Sequence, residues 1–278
     1  SNIANLGHTL FMHSHIIKHG FDSDIWVCNS LINMYVKCGS VSHARQLFDS
    51  LTWHDVVAWS ALITGYADCG HILEAFALFE KMQASGVRPN KITFIAILKA
   101  CSTSMELNLG NLVHDYIIKY GNESDVCVAN ALIHAYTECG ILQNAMLIFD
   151  TLQKRDVVTW TVIIAAHVQH GCFEDAVLLL NRMQHQGIEP NYATFISTFK
   201  SCSSPSALRL GKGLHSQVIE DGLDSDLSII NSVIHMYGKC GTLMDSLSIF
   251  YTMPKRDVIT WSTMITMLFE HGLCVEAV

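Results

Sequence analysis

The stretch VVAWSALITGYADCG at 56–70 recurs as VVTWTVIIAAHVQHG at 157–171 and as VITWSTMITMLFEHG at 258–272. A second stretch, VCNSLINMYVKCG at 27–39, also returns twice with the same step of 101 residues. Self-similarity at a fixed period is typical of repeat proteins, in which each repeat contacts mainly its neighbours. The step divides into units of 31, 35 and 35 residues. The chain is therefore predicted to be one array, although its 278 residues would otherwise suggest two globular domains.

Each unit predicts two helices joined by a short turn. In the unit that starts at Val157, apolar residues recur every three or four positions along 160–167 and again along 176–183. Gly171 is placed to end the first helix, and Pro190 breaks the chain before the next unit. One hairpin of this size cannot bury both apolar stripes. Stacked hairpins can, which predicts an all-α, right-handed solenoid of helix-turn-helix repeats of 31 and 35 residues.

Composition and spacing exclude several classes of protein. Half of the residues are hydrophobic, which excludes a disordered chain. The longest nearly apolar stretch, 157–168, is shorter than the roughly 20 residues of a membrane span, so no membrane partner is expected. The ten cysteines form no C-x-x-C pair and several follow the repeat period, so neither a metal nor a cofactor is predicted. No catalytic constellation is visible, so this segment is not expected to be an enzyme.

The charge and the chain ends limit the function further. The formal net charge is -8, from 17 Lys and Arg against 25 Asp and Glu, which argues mildly against a purely electrostatic nucleic-acid binder. Residues 1–20 lack a basic n-region and a clean apolar core, so no signal peptide is expected within them. Neither SNIANLG nor GLCVEAV has the character of a natural terminus, so we expect that any transit peptide or catalytic domain lies outside this segment.

The units resemble pentatricopeptide repeats. The likeness lies in the VVTW opening, in the F-x-x-M spacing of Phe79 and Met82, and in the G-[VI]-x-P-N close at 86–90 and 187–191. The alternating unit lengths are similar to the P-L-S subclass of plants. By this resemblance the chain divides into a partial L unit at 1–24, S units at 25–55, 126–156 and 227–257, P units at 56–90 and 157–191, L units at 91–125 and 192–226, and a truncated P unit at 258–278.

The resemblance implies binding of single-stranded RNA, one nucleotide per unit. In the family pattern, the fifth and last residues of a unit choose the base. These pairs are Asn29 with Asp55, Ser60 with Asn90, Asn130 with Asp156, Thr161 with Asn191, and Asn231 with Asp257, with Ser262 alone in the last unit. By the family rule Asn with Asp favours uracil, and Ser or Thr with Asn favours adenine, which predicts 5′-U-A-n-U-A-n-U followed by a purine.

Other positions have different expected roles. The L units have an isoleucine at the fifth position, which offers no polar group to a base. Their pairs, Ile95 with Asp125 and Ile196 with Asp226, should therefore discriminate little between bases. Val57 and Val158, each the second residue of a unit, would pack on the flat face of a base. The subclass further implies a recognition array for C-to-U RNA editing in a mitochondrion or chloroplast, with small editing cofactor proteins on the L units.

Structural alternatives stand beside these roles. Asn29, Asn130 and Asn231 could be ordinary residues at helix N-termini, where Asn is favoured, and the last-position aspartates could cap the next helix. The cap role is compatible with base contact. Trp59, Trp160 and Trp261 lie in apolar stripes and are predicted to pack in the core, and the histidines are predicted to be structural or at the surface. A protein-binding scaffold is the alternative function, since helical solenoids also bind peptides.

Overall fold

A computed structural model describes residues 2–202 and 204–273, which form sixteen α-helices, one short 3-10 turn at Pro205–Ala207 and no strand. The chain divides into two compact units, Ser1–Ile148 and Phe149–Val278. The parts of the predicted terminal repeats at residue 1 and at 274–278 lie outside the described residues.

The first compact unit stacks helical hairpins. Helices α2, α4, α6 and α8, each the first helix of a repeat, pack side by side as one layer, and α3, α5 and α7 pack against that layer. The helices of this unit are α1 (Asn2–Lys18), α2 (Ile25–Lys37), α3 (Val41–Ser50), α4 (Val56–Asp68), α5 (Ile72–Ala84), α6 (Lys91–Ser104), α7 (Leu107–Lys119) and α8 (Val126–Glu138).

The second compact unit repeats the arrangement, and the division between the units falls within α9 (Leu142–Thr151). Here the layer consists of α10, α12, α14 and α16, with α11, α13 and α15 packed against it. The helices are α10 (Val157–Gln169), α11 (Phe173–His185), α12 (Tyr192–Ser201), α13 (Leu208–Glu220), α14 (Leu227–Lys239), α15 (Leu243–Thr252) and α16 (Val258–Glu270). The predicted all-α fold of stacked helical hairpins is therefore confirmed within each unit.

The predicted apolar stripes form the core. Trp160 is fully buried and Trp59 is 2% exposed, and each ring meets a phenylalanine edge-on, with centroids 4.7 Å apart. The core role is thus confirmed for these two residues. Trp261 makes the same contact with Phe250, at 4.9 Å, but is 52% exposed. It differs because the described part of its repeat contains α16 alone.

Glycine ends the first helix of a repeat, as predicted. Gly171 has φ of +75°, a left-handed conformation that side chains disfavour, and its N–H donates to the carbonyl of Val168 at 3.0 Å. The next residue, Cys172, donates to the carbonyl of His167 at 2.8 Å. These bonds satisfy carbonyls at the helix end and fix the tight turn into the second helix.

Candidate functional site

The last residue of each unit caps the first helix of the next. Its side-chain oxygen accepts a hydrogen bond from a backbone N–H in the first turn of that helix. The capping residues are Asp24, Asp55, Asn90, Asp125, Asp156, Asn191, Asp226 and Asp257. The cap role expected for the aspartates is therefore confirmed.

The asparagines at the fifth position are not helix-terminal residues, so that alternative is wrong. Asn29 is the fifth residue of α2, whose cap is Asp24, and Asn231 is the fifth residue of α14, whose cap is Asp226. Asn130 has the same place in α8. The Nδ2 atoms of Asn29 and Asn231 donate instead to aspartate side chains.

Fifth and last side chains of an S unit meet directly. Asn29 donates through Nδ2 to both carboxylate oxygens of Asp55, at 3.1 and 3.0 Å, and Asn231 donates to Asp257 Oδ1 at 3.3 Å. The carboxylate fixes each amide with its nitrogen towards the aspartate. The Oδ1 atoms of Asn29 and Asn231 are buried and have no partner among the described residues. Such orphaned acceptors are uncommon in folded proteins.

The remaining S pair is divided between the compact units, with Asn130 in the first and Asp156 in the second. Asp156 caps α10 through the backbone N–H of Thr159 at 2.8 Å. Asn130 Oδ1 is buried without a hydrogen-bond partner among the described residues, like its counterparts in the other S units.

In the P units a hydroxyl replaces the fifth-position amide. Ser60 Oγ lies 3.4 Å from Asn90 Oδ1 and 2.7 Å from Thr93 Oγ1, and it donates back to the carbonyl of Val56 at 2.6 Å. Thr161 Oγ1 lies 2.8 Å from Thr194 Oγ1, which in turn donates to Asn191 Oδ1 at 3.2 Å. Fifth and last residues are therefore joined through a threonine that the sequence analysis did not single out.

The L units hold their last residue differently. Asp125 and Asp226 have ψ of 118° and 117°, and each accepts from two backbone N–H groups, whereas Asp55 has ψ of 176° and caps through one. The fifth residues, Ile95 and Ile196, are half-buried and offer no polar atom. The two residues of an L pair thus lack the direct polar contact that joins Asn29 to Asp55.

Two cavities of about 550 Å³ lie beside these pairs, one in each compact unit. The first is lined by Val57, Ser60 and Asn90, among others, and the second by Ile196 and Asn231.

Base-packing candidates Val57 and Val158 are 42% and 51% exposed. Trp26 is 77% exposed and is the second residue of the unit at 25–55. It shares this position with Val57 and Val158, so the sequence could have identified it as a further base-packing candidate. Ser262 is exposed and bonds to the Val258 carbonyl.

The charge of Asp257 favours acceptor chemistry. Hydrogen bonds from Thr260, and further ones from Asn231 and Ile259, hold the pKa of Asp257 below its ordinary value, so its carboxylate is ionised and can only accept at neutral pH. Within the described residues no group of three or more His, Cys, Asp or Glu is placed to hold a metal ion.

Recurring histidines have structural partners. The Nδ1 atoms of His114 and His215 lie 3.0 and 3.1 Å from the hydroxyls of Tyr136 and Tyr237, which confirms the structural role expected for them. Burial lowers the pKa of both histidines. No helix in the described part of the chain is long and apolar enough to cross a bilayer.

Within each compact unit, the stacked helical hairpins define a helical-repeat protein. The chain belongs to the PPR repeat family. A model of the PPR repeat family matches residues 54–103 and 155–204, and a PPR repeat model matches residues 26–56, 127–157, 228–258 and 259–278.

Curated relatives come from Arabidopsis thaliana. Pentatricopeptide repeat-containing protein At3g24000, mitochondrial, is 35% identical over 96% of this chain and 42% of its own length. Pentatricopeptide repeat-containing protein At2g33680 is 38% identical over 96% of this chain and 37% of its own length. A third, At4g18520, chloroplastic, is 33% identical over 96% of this chain and 43% of its own length. The chain thus spans less than half of each relative.

A solved structure has the same fold. The crystal structure of the pentatricopeptide repeat protein PPR10 in complex with an 18-nt psaJ RNA element matches with a TM-score of 0.74. The match covers 98% of this chain and 41% of that chain, at 16% sequence identity.

Proposed function

We propose that this chain binds single-stranded RNA and reads it one nucleotide per unit, through the fifth and last residues of its repeats. The observation that carries the proposal is the direct contact between those two positions, represented by Asn29 with Asp55 and by Asn231 with Asp257. Short amide and carboxylate groups held together match the Watson–Crick edge of an unstacked base in size and polarity. The match to PPR10 in complex with an RNA element supports the same class of ligand.

The proposed target is 5′-U-A-n-U-A-n-U followed by a purine. Units with Asn and Asp would take uracil, and units with Ser or Thr and Asn would take adenine. The L units, whose fifth residues are Ile95 and Ile196, would accept any base because an isoleucine cannot donate or accept a hydrogen bond. Val57 and Val158, both exposed, would pack against base faces.

A binding measurement tests this proposal. The purified chain is titrated with fluorescently labelled 5′-U-A-C-U-A-C-U-A and with a second RNA in which every U and A is exchanged. Tighter binding of the first RNA is expected. Equal affinity for the two would contradict base reading by these pairs. A variant in which the polar fifth residues are all changed to Ala is also measured, namely Asn29, Ser60, Asn130, Thr161 and Asn231. Retained affinity in this variant would favour a nonspecific or scaffold role.

The charge balance predicts modest affinity. The net charge is -8, and several cations are paired with acids, including Lys99 with Asp68 at 2.7 Å and Lys239 with Glu270 at 2.8 Å. With only 17 Lys and Arg in all, phosphate neutralisation should be sparse, so the logarithm of affinity should fall with the logarithm of salt on a shallow slope. A steep slope would contradict selectivity carried by base edges.

We further propose that the whole protein recognises sites of C-to-U editing in organellar RNA. Relatives are named mitochondrial or chloroplastic, which supports one of these organelles. Two measurements test this: the location of the full-length protein fused to a fluorescent protein, and sequencing of organellar transcripts from plants that lack it. Unchanged C-to-U conversion at every site that follows the proposed motif would exclude the editing role.

The L units are the proposed contact for small editing cofactor proteins. Their second helices expose apolar side chains, represented by Ile118 of α7 at 54% and Ile219 of α13 at 53%. Changing both residues to Glu should weaken capture of such a cofactor and leave RNA affinity unchanged. Loss of RNA affinity in this variant would instead place these residues in the RNA-binding function.

A further inference from the structure

Two buried threonines lie behind the hydroxyl and amide pairs of the P units. Thr93 and Thr194 are each the third residue of the following unit, and both are fully buried. Thr194 Oγ1 lies 2.8 Å from Thr161 Oγ1, 3.2 Å from Asn191 Oδ1 and 3.3 Å from the backbone nitrogen of Asn191. One hydroxyl therefore contacts both residues of the pair while being itself out of reach of RNA.

Hydrogen-bond arithmetic shows what these contacts leave available. A hydroxyl has one proton. Thr161 Oγ1 lies 2.7 Å from the Val157 carbonyl and 2.8 Å from Thr194 Oγ1, so its proton is used inside the protein whichever of the two accepts it. Asn191 Oδ1 accepts from the backbone N–H of Thr194 at 3.0 Å and from its hydroxyl. Thr161 is thus left as an acceptor.

The amide nitrogen of the pair is left as a donor. Asn191 Nδ2 has no hydrogen-bond partner within the described residues, and Asn191 is exposed. Ser60, Asn90 and Thr93 repeat the arrangement: Thr93 Oγ1 lies 2.7 Å from Ser60 Oγ and donates to Asn90 Oδ1 at 3.1 Å. Both P units therefore present one acceptor and one donor in the same order.

We propose that Thr93 and Thr194 are positioning residues that fix this polarity and thereby favour adenine over guanine. The Watson–Crick edge of adenine offers an N6–H donor beside the N1 acceptor, which complements an acceptor from the fifth residue and a donor from the last. Guanine offers the reverse, an O6 acceptor beside an N1–H donor. This inference rests on the proposed RNA-binding function and adds a residue that sets its selectivity.

The chain contains a natural comparison for the effect of a third-position hydroxyl. Where that residue is Ala58, the carboxylate of Asp55 takes the amide of Asn29 on both oxygens. Where it is Thr260, the hydroxyl donates to Asp257 Oδ1 at 2.8 Å, and Asn231 keeps one bond to that oxygen, at 3.3 Å. The third residue thus changes which atoms of the last residue are engaged.

Position-specific binding measurements test the proposal. The RNAs are U-A-C-U-A-C-U-A and two variants, with G replacing A at the second or at the fifth nucleotide. In Thr194→Val, the preference for A over G at the fifth nucleotide should fall about threefold to tenfold, the equivalent of one neutral hydrogen bond. The preference at the second nucleotide should not change. Thr93→Val should give the reverse result, and Thr194→Ser should restore the wild-type preference.

Thr198→Val is the matched control. Thr198 is also fully buried, lies one turn later in α12, and donates only to the backbone carbonyl of Thr194, at 2.8 Å. It should leave both preferences unchanged. The inference is overturned if Thr194→Val keeps the wild-type preference at the fifth nucleotide, if it changes both nucleotides alike, or if Thr198→Val has the same effect. A wild-type chain without any preference between bases overturns the proposed function itself. If Thr194→Val does not fold, Thr93→Val decides at the second nucleotide.

Discussion

The side-chain amide of Asn29 donates to both carboxylate oxygens of Asp55, which also caps α4 through the N–H of Ala58 at 2.8 Å. One carboxylate therefore stabilises the next repeat and orients the amide of its own repeat. Asp55 therefore has a structural role and, in the proposed function, a base-reading role, so substitutions should affect both stability and RNA affinity.

Asp55→Ala should destabilise the chain more than Asp125→Ala. Asp125 makes only cap bonds, so its loss should cost about 1 kcal/mol. Loss of Asp55 removes a cap and also leaves the buried amide of Asn29 without its partner, which adds about 1–3 kcal/mol. Urea unfolding followed by circular dichroism measures both variants. Equal losses would show that the Asn29–Asp55 bond contributes nothing to the fold.

Ile196→Asn should fail to create a preference for uracil at the sixth nucleotide. The family rule taken alone predicts that preference, because the unit ends in Asp226. However, Asp226 accepts from the backbone N–H groups of Ser228 and Ile229 and has the ψ of the L units rather than that of Asp257. Affinity for RNAs with each of the four bases at that nucleotide is the measurement. A gain for uracil would show that the L-type backbone does not prevent pairing.

Gly65→Ala should be destabilising despite the higher helix propensity of alanine. A Cβ on Gly65 in α4 would come within 2.7 Å of Val36 Cγ2, and a β-branched valine cannot move aside. We expect a loss of about 1–3 kcal/mol. Gly213→Ala in α13 is the control, because nothing lies within 4 Å of its Cβ position, and it should stabilise by about 0.5–1 kcal/mol. Thermal or urea unfolding compares the two.

Stability should fall as the pH falls from 7 to 5. Burial holds the pKa of His114 and His215 below the ordinary 6.5. Between the lowered pKa of the folded chain and the ordinary pKa of the unfolded chain, the unfolded chain binds more protons. Protonation then favours unfolding, and the same direction holds for His13 and His235. The double variant His114→Gln and His215→Gln should flatten this dependence in urea unfolding measured across the window.

The helices and the core were predictable because they depend on local periodicity. The stripe along 160–167 and the glycine at 171 predict α10 and its end, and the structure has both. The positions of the base-reading candidates follow from the family resemblance, which points to the fifth and last residues of a unit. Their contacts were not predictable, because Ser60 and Thr93 are 33 residues apart and meet only when neighbouring hairpins stack. Likewise, no periodicity distinguishes the ψ of Asp125 from that of Asp55.

In the proposed reading, the units of Ile95 and Ile196 do not discriminate between bases, and they are one unit in every three, so one bound nucleotide in every three is unread. Three nucleotides are also the length of a codon. In a protein-coding transcript with the appropriate frame, the unread nucleotides coincide with the third codon base, where synonymous changes occur. Such a transcript can accumulate silent substitutions there and still be recognised, so the apolar isoleucines would make recognition tolerant of the drift that coding sequences themselves tolerate.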